Sequence, residues 1–342
     1  MTATSGAEKP PLRAPAAPPA GPRVRSFGDR LAHQVAARGS QVVLGLDPDP
    51  ARLWPRAIEL VAGAAESPAS AAWDPPGTAA PIAVRAARAV ANHCALAIEA
   101  VAEQCVAVKL QVACFERLGA PGWAALAEVA QRAREHDLLV IADAKRGDID
   151  VSASAYAEAF LSETPTVFGP VAGLGVDALT VNPLLGGDSL APLVRTARNW
   201  GSGLFVLVRT SNPGAADLQE LALAGGGSVS DRIARLVAEL GASGLGSAGL
   251  TDVGAVLGAT APARLQAMRE RMPHAVFLLP GVGAQGGRVE DLAAAFAPGP
   301  AGGLIAVSRG IVGAHERGGG DPAGAARDEA ARLRELAWRI GG

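Results

Sequence analysis

Short apolar runs alternate along the chain with segments of helical periodicity, and this alternation limits the possible folds more than any other feature. Each run has the length of a buried strand, and most runs are followed by a helical pattern. We predict strands at residues 41–46, 105–108, 138–145, 178–181, 204–208, 253–257, 276–279 and 304–307.

Eight strand-and-helix units favour closure into a single-domain (β/α)8, or TIM, barrel over an open, doubly wound α/β sheet. We predict that the barrel domain covers residues 25–342. Residues 1–24 are rich in Pro and Ala and lack periodicity, so they are predicted to be a disordered tail, and residues 64–82 a mobile loop. Helices are predicted at 27–38, from about 87 to 101, and at 123–136, 189–198, 230–240, 262–271 and 321–340.

Three charged side chains occur together at the end of the third predicted strand. Asp143 and Lys145 lie two residues apart, and therefore on one face of the strand, and Asp148 follows in the next loop. Charges are rarely buried without a partner, and neighbouring charges in a cleft shift each other's pKa values. This pattern alone is equally compatible with a catalytic group and with an ion pair on the surface.

Polar residues also follow other predicted strands. Asp47, Lys109 and Ser211 come at the carboxyl ends of the first, second and fifth strands. In (β/α)8 enzymes this end of the barrel carries the active site. The polar residues therefore favour a catalytic interpretation of the charged cluster.

The last two predicted strands end in sequences suited to phosphate. The seventh strand ends in the glycine-rich segment 280–287, which contains Gln285, and the eighth ends in Ser308 and Arg309. Barrel enzymes commonly bind phosphate at this place through backbone N–H groups and one cation. We predict a phosphate site between the two strands.

Composition argues against several classes of partner. The formal net charge of −2 gives no basis for binding nucleic acid or an anionic membrane surface. No apolar run has the length of a membrane span, and the amino terminus lacks the apolar core of a signal peptide. Cys94, Cys105 and Cys114 are predicted to be reduced thiols of a cytoplasmic protein, and neither they nor the scattered histidines have the spacing of a metal site.

The segments around these residues resemble orotidine 5′-phosphate decarboxylase, in the longer bacterial form whose motif reads D-A-K-R-G-D-I. The similarity extends from Phe27 to Ile340. The matching segments are D-A-K-R-G-D-I at 143–149, V-K-L-Q-V-A-C-F-E at 108–116, D-A-L-T-V-N-P at 177–183, T-S-N-P-G at 210–214, P-G-V-G-A-Q-G-G at 280–287 and S-R-G at 308–310.

The resemblance implies decarboxylation of orotidine 5′-phosphate to UMP without a cofactor or metal, the last step of de novo pyrimidine biosynthesis. It also implies a homodimer with shared active sites, in which Asp148 reaches the site of the partner subunit. The implied catalytic residues are Lys145, Asp143, Asp148 and Lys109. The implied substrate-binding residues are Asp47 (with Lys109, ribose hydroxyls), Ser211 (pyrimidine edge), Gln285 and Arg309 (phosphate), Ser308, and Ser152, which stands where family members usually carry Thr.

The expected reaction explains why these residue types are needed. Loss of CO2 from the C6 carboxylate of orotidylate leaves a carbanion that the ring does not easily delocalise. The enzyme must therefore stabilise charge at C6 and supply a proton there. Lys145 is the predicted donor, because flanking carboxylates keep its ammonium protonated and in place. Asp143 is expected to repel the substrate carboxylate, and this repulsion is relieved as CO2 leaves.

Two other functions fit parts of the pattern. Related sugar-phosphate decarboxylases share D-x-K-x-x-D, but they bind Mg²⁺ and have Glu at the end of the second strand, where this chain has Lys109. An ammonium at that position repels a divalent cation, so a metal-free site is the preferred interpretation. An inactive nucleotide-binding barrel is the second alternative, and the complete set of four charged residues argues against it.

Overall fold

The computed structural model describes residues 25–63, 81–283 and 285–342. The predictions for the tail 1–24, and for all but the last two residues of the 64–82 loop, lie outside these residues. Eight parallel strands form a closed barrel in which each pairs with its neighbours in chain order and the last pairs with the first, as predicted. The barrel strands are β1 Val42–Leu46, β2 Ala107–Gln111, β3 Leu139–Arg146, β4 Ala178–Val181, β5 Gly203–Arg209, β6 Val253–Leu257, β7 Phe277–Pro280 and β8 Gly303–Val307.

Helices form a layer outside the strands. The α-helices are α1 Phe27–Arg38, α2 Pro55–Gly63, α3 Ile82–Val101, α4 Val112–Glu116, α5 Ala120–Glu135, α6 Asp150–Leu161, α7 Gly187–Trp200, α8 Ala215–Leu218, α9 Val229–Gly241, α10 Leu265–Arg271, α11 Arg309–Val312, α12 His315–Gly318 and α13 Pro322–Gly341. Short 3-10 helices cover Ala102–Gln104, Ala242–Gly244, Pro262–Arg264, Val289–Phe296 and Pro300–Gly302. A small antiparallel hairpin pairs Glu163–Thr164 with Val171–Ala172. None of the described helices combines the length and the apolar character that crossing a membrane requires.

Of the predicted bounds that the structure corrects, those of the second strand and of the helix at 230–240 change the setting of a polar residue. The second strand begins at Ala107 and continues to Gln111, so Lys109 lies within the strand and not after it. The helix predicted at 230–240 begins at Val229, and Ser228 caps it. The Ser228 hydroxyl accepts the N–H of Asp231, and the Asp231 carboxylate accepts the N–H of Ser228, which forms a capping box.

Six of the α-helices that the structure describes have no counterpart among the predicted elements, and α2 and α6 are the longest of them. In α6, Ala153 and Ala157 are buried while Val151 is exposed, so its apolar residues do not form one stripe. A helix without a single apolar stripe carries little of the periodic signal that sequence patterns provide.

The strands divide their side chains between two apolar layers. In β1, Val42 and Leu44 belong to the cluster between the strands and the helices, whereas Val43 belongs to the cluster inside the barrel. This is the two-residue alternation of a strand. In β2 the same alternation puts Ala107 in the inner cluster and Lys109, two residues later, in a cavity at the carboxyl end.

Helix α1 closes the amino-terminal end of the barrel. Phe27, Leu31 and Val35 are buried and join the inner apolar cluster. The Phe27 ring meets the edge of Phe205 on β5, with a distance of 5.9 Å between the ring centroids. Gly203 lies so close to Phe27 that a methyl group there would collide with the ring. Close packing at this end of the barrel therefore requires the Phe27 ring and the absence of a side chain at Gly203.

We predict that Phe27→Ala lowers the free energy of unfolding by about 3–5 kcal/mol, because it removes a buried ring and leaves a cavity. Urea unfolding measures this change. Phe168→Ala is the matched control, since the Phe168 side chain is 98% exposed at the tip of the small hairpin. The control should change stability by less than about 0.5 kcal/mol. Equal effects of the two substitutions would contradict the role assigned to α1.

Candidate active site

A cavity of about 420 Å³ opens at the carboxyl ends of the strands, and eight of the ten predicted site residues line it. Asp148 and Ser152 do not. Asp148 lies in the loop after β3, where its carboxylate accepts the N–H of Ile149 at 2.8 Å, and Ser152 is exposed in the first turn of α6. The eight lining residues are Asp47, Lys109, Asp143, Lys145, Ser211, Gln285, Ser308 and Arg309.

The carboxylate of Asp143 lies at the centre of the charged residues. Its Oδ2 accepts from Lys109 Nζ at 2.7 Å and from Gln111 Nε2 at 3.3 Å. Its Oδ1 accepts from Lys145 Nζ at 2.6 Å and from the Thr180 hydroxyl at 2.9 Å. Each oxygen therefore has two donors, which together occupy the hydrogen-bonding capacity of the carboxylate.

Neighbouring opposite charges stabilise the ionised forms of Asp143 and Lys109. Burial alone would raise the pKa of Asp143, but the ammonium groups of Lys109 and Lys145 outweigh burial and hold this pKa well below its usual range. Burial likewise would lower the pKa of Lys109, but the carboxylates of Asp143 and Asp47 raise it above its ordinary value. Both groups are therefore charged at neutral pH.

Lys145 differs from Lys109 in its exposure and its backbone. The Lys145 side chain is 44% exposed, whereas that of Lys109 is 8% exposed. The backbone of Lys145 has φ +49°, a left-handed conformation that is unfavourable for a residue with a side chain. Lys145 thus presents its ammonium to the open part of the cavity from a strained position in β3.

Arg146 holds the outer side of the same segment. Its guanidinium pairs with the Glu116 carboxylate at the end of α4 and donates to the Ala144 carbonyl at 3.1 Å. It also lies over the rings of Tyr156 and Phe160 in α6, at 5.4 and 5.6 Å from their centroids. These contacts connect the end of β3 to the helices on both sides of it.

Asp47 and Ser308 join the first and last strands across the mouth of the cavity. The Ser308 hydroxyl donates to the Asp47 carboxylate at 2.7 Å, and Lys109 Nζ lies 3.7 Å from the other carboxylate oxygen. A methyl group at Gly45 would collide with the Ser308 hydroxyl, so glycine is required for this approach. Asp47 thereby connects the charged centre to the end of β8.

The glycine-rich loop after β7 lines the cavity on the side of the barrel opposite β3. It is held by hydrogen bonds from the Gly283 N–H to the Gly287 carbonyl at 2.9 Å and from the Gly287 N–H to the Gly281 carbonyl at 3.0 Å. Gly281 has φ +101°, a conformation that glycine adopts without strain. The exposed side chains of Gln285 and Arg309 lie at this end of the cavity, where they can meet an anionic group.

Sequence reasoning missed two residues of the charged centre, Thr180 and Gln111. Thr180 occurs inside the apolar run of β4 and is almost completely buried, so nothing local distinguishes it from a core residue. Gln111 lies two residues after Lys109 in β2 and therefore on the same face of the strand. Had the predicted strand been extended by three residues, to Gln111, this alternation would have identified it.

The charged groups of the cavity are ammonium groups and the carboxylates paired with them, which do not form a metal-binding cluster. Among the residues that the structure describes, no three His, Cys, Asp or Glu side chains are grouped to hold a metal ion. The carboxylates of Asp143 and Asp47 are instead paired with Lys109.

Sequence comparison identifies relatives of this chain. A model of the orotidine 5′-phosphate decarboxylase / HUMPS family matches residues 40–327. The orotidine 5′-phosphate decarboxylase of Rhodopirellula baltica is 45% identical over 231 residues, which cover 68% of this chain and 75% of the relative. That of Deinococcus radiodurans is 47% identical over 239 residues (70% and 81%), and that of Haloarcula marismortui is 40% identical over 292 residues (85% and 88%).

Solved structures agree with these relatives. The Leishmania donovani OMP decarboxylase structure is 30% identical, covers 91% of this chain and 98% of its own, and superposes with a TM-score of 0.63. The Leishmania donovani UMP synthase structure is 31% identical over 92% of this chain and 57% of its own, with a TM-score of 0.65. Because the family match begins just before β1 and ends within α13, it includes the whole barrel. The chain belongs to the orotidine 5′-phosphate decarboxylase / HUMPS family.

Proposed function

We propose that this enzyme converts orotidine 5′-phosphate to UMP and CO2, the last step of de novo pyrimidine biosynthesis, without a cofactor. The observation that carries this conclusion is the network of Lys109, Asp143 and Lys145, placed in a cavity whose other end is suited to phosphate. Relatives named for this activity, 40–47% identical to the chain, support it.

Lys145 is the proton donor in this proposal. Its ammonium is the more exposed of the two in the cavity and lies 2.6 Å from Asp143. A carbanion formed at C6 next to this ammonium would be stabilised by its charge and then protonated by it. The short contact with Asp143 limits the movement of the ammonium until the proton is transferred.

Asp143 is the proposed source of repulsion toward the substrate carboxylate. Four donors hold its two oxygens, so it cannot rotate away when a second carboxylate enters the cavity. The depressed pKa of Asp143 also prevents it from taking a proton to relieve the repulsion. As neutral CO2 leaves, the negative charge of the substrate carboxylate passes to C6, where the Lys145 ammonium can stabilise it. The repulsion between the substrate carboxylate and Asp143 is relieved, and the transition state is therefore favoured over the bound substrate.

The remaining residues are proposed to hold the parts of the substrate that do not react. Asp47, at the mouth of the cavity, and Lys109, whose ammonium lies 3.7 Å from the Asp47 carboxylate, are assigned to the ribose hydroxyls. Ser211, after β5, is assigned to the pyrimidine edge. Gln285 and Arg309, together with Ser308, are assigned to the phosphate, and the Arg309 guanidinium has no carboxylate partner among the described residues.

The rival function, a metal-dependent sugar-phosphate decarboxylase, fits the cavity less well. The Lys109 ammonium lies between the two carboxylates that a divalent cation would need, 2.7 Å from Asp143 and 3.7 Å from Asp47. A cation bound there would meet an ammonium whose pKa is raised. An inactive barrel is disfavoured as well, because a buried charge network without a reaction to serve has a cost in stability.

A homodimer with shared sites is proposed from the surface around Asp148. Four exposed aliphatic side chains lie just after β3 and β4: Ile149 in the loop after β3, Val151 in the first turn of α6, and Leu184 and Leu185 in the loop after β4. These loops are adjacent, since the Asn182 N–H donates to the Arg146 carbonyl at 2.8 Å. An exposed apolar patch beside the active-site mouth suits an interface with a second subunit. In such a dimer Asp148 and Ser152, which lie outside their own cavity, would complete the partner's site.

We also propose that the enzyme works in the cytoplasm. Cys94, Cys105 and Cys114 are free thiols, and the first two are buried. Burial raises the pKa of both buried thiols, which keeps them protonated and unreactive. Unpaired cysteines of this kind are typical of proteins from reducing compartments.

We predict that the purified chain releases CO2 from orotidine 5′-phosphate and that Lys145→Ala lowers kcat more than about 1,000-fold, because proton donation and charge stabilisation are both lost. Product formation followed by ultraviolet absorbance measures this, and UMP binding shows that the variant is folded.

Arg132→Ala is the matched control, because the Arg132 side chain on α5 is 45% exposed, close to the 44% of Lys145, and lies outside the cavity. It should retain wild-type turnover.

EDTA should leave the wild-type rate unchanged, and a rate restored by Mg²⁺ would support the rival function. Near-normal turnover by Lys145→Ala would refute the assigned donor.

We predict that Lys145→Ala and Asp148→Ala homodimers are both nearly inactive and that mixing them restores activity. After subunit exchange, one site of each heterodimer takes Lys145 from one chain and Asp148 from the other, and both groups are then intact. Differently tagged subunits show that exchange has occurred. Exchange without recovery of activity would exclude the shared site.

A further inference from the structure

The pairing between β3 and β4 is irregular beside the charged centre. The strands pair in register at Ala142 with Leu179 and resume pairing at Arg146 with Val181. Three residues of β3, from Asp143 to Lys145, therefore lie opposite one residue of β4, which is Thr180. Such a bulge leaves backbone groups without their usual partners in the ladder.

The side chain of Thr180 replaces the missing partner. The Lys145 N–H donates to the Thr180 hydroxyl at 2.9 Å, and this hydroxyl donates to Asp143 Oδ1 at 2.9 Å. A backbone N–H can only donate, and an ionised carboxylate can only accept. The direction of both hydrogen bonds is therefore fixed, and the single hydroxyl proton points to Asp143.

These two bonds close a ring between the groups assigned to catalysis. Asp143 Oδ1 also accepts from Lys145 Nζ at 2.6 Å, so Thr180 contacts both the carboxylate and the backbone of the lysine that pairs with it. Lys145 has φ +49°, which an isolated residue with a side chain would tend to leave. Thr180 is 1% exposed, so water does not easily replace its hydroxyl.

We propose that Thr180 is a positioning residue for decarboxylation, which holds the Asp143 carboxylate and the strained backbone of Lys145 in their reactive arrangement. This inference rests on the proposed function. Thr180 acts through these two residues and needs no contact with the reacting carbon. Loss of its hydroxyl frees one acceptor position on Asp143 and leaves the Lys145 N–H unpaired, which allows the bulge to relax.

Thr180→Val tests the proposal, because valine has nearly the same shape and lacks the hydroxyl. We expect kcat to fall roughly 10- to 100-fold, as for other small misplacements of reacting groups. The KM for orotidine 5′-phosphate and the Kd for UMP should change less than about threefold, since the phosphate end of the cavity is untouched. Thr180→Ser keeps the hydroxyl and should retain most of the wild-type kcat.

Thr251→Val is the matched control. The Thr251 side chain is also buried and donates to the Val253 carbonyl at 2.9 Å, but it lies before β6 and outside the cavity. It should lower Tm without lowering kcat. If Thr180→Val loses no more kcat than Thr251→Val, or if Thr180→Ser loses as much as Thr180→Val, the positioning role is wrong.

A crystal structure of Thr180→Val separates this inference from the proposed function. Displacement of the Asp143 carboxylate or of the Lys145 backbone would support the positioning role. Unchanged positions of both groups would overturn it, whatever the activity of the wild-type chain. Absence of wild-type turnover of orotidine 5′-phosphate would instead overturn the proposed function.

Discussion

The ionised carboxylate of Asp143 is the constraint on which the rest of the site depends. A buried charge is stable only when opposite charges and hydrogen-bond donors replace the water that it has lost. Lys109 and Lys145 supply the charges, and Gln111 and Thr180 supply two further donors. Because the four donors come from β2, β3 and β4, the carboxylate is satisfied only when these neighbouring strands hold their register in the closed barrel.

The inward face of the barrel changes from apolar to charged along these strands. In β2, Ala107 belongs to the inner apolar cluster and Lys109 to the cavity, and in β3 Ile141 and Asp143 follow the same order. The amino-terminal end, closed by α1, gains stability from burial of apolar surface. The carboxyl end holds charges close together, which opposes stability and prepares the site to act on another charge. The residues that stabilise the fold and the residues assigned to catalysis thus lie at opposite ends of the same strands.

The strand pattern is enough to predict the barrel, because parallel strands are buried on both faces and appear as continuous apolar runs. The pattern is less informative where a strand enters the cavity. The strand β2 continues to Gln111, but the apolar run in the sequence stops before Lys109, because Lys109 and Gln111 face the cavity. The predicted strand therefore ends too early. Thr180 escapes prediction for the opposite reason, since it lies within an apolar run and its hydroxyl becomes important only beside Asp143.

The sequence by itself determines the order of the eight strands and the presence of charged residues at the strand ends, because both follow from local periodicity and spacing. Only the tertiary structure decides which of these residues meet. It brings Lys109 to Asp143 across 34 positions of the chain, and it leaves Asp148 outside the cavity that Lys145 enters. The physical reason is the register between parallel strands, including the bulge in β3, which depends on packing of the closed barrel and not on the residues of any single strand.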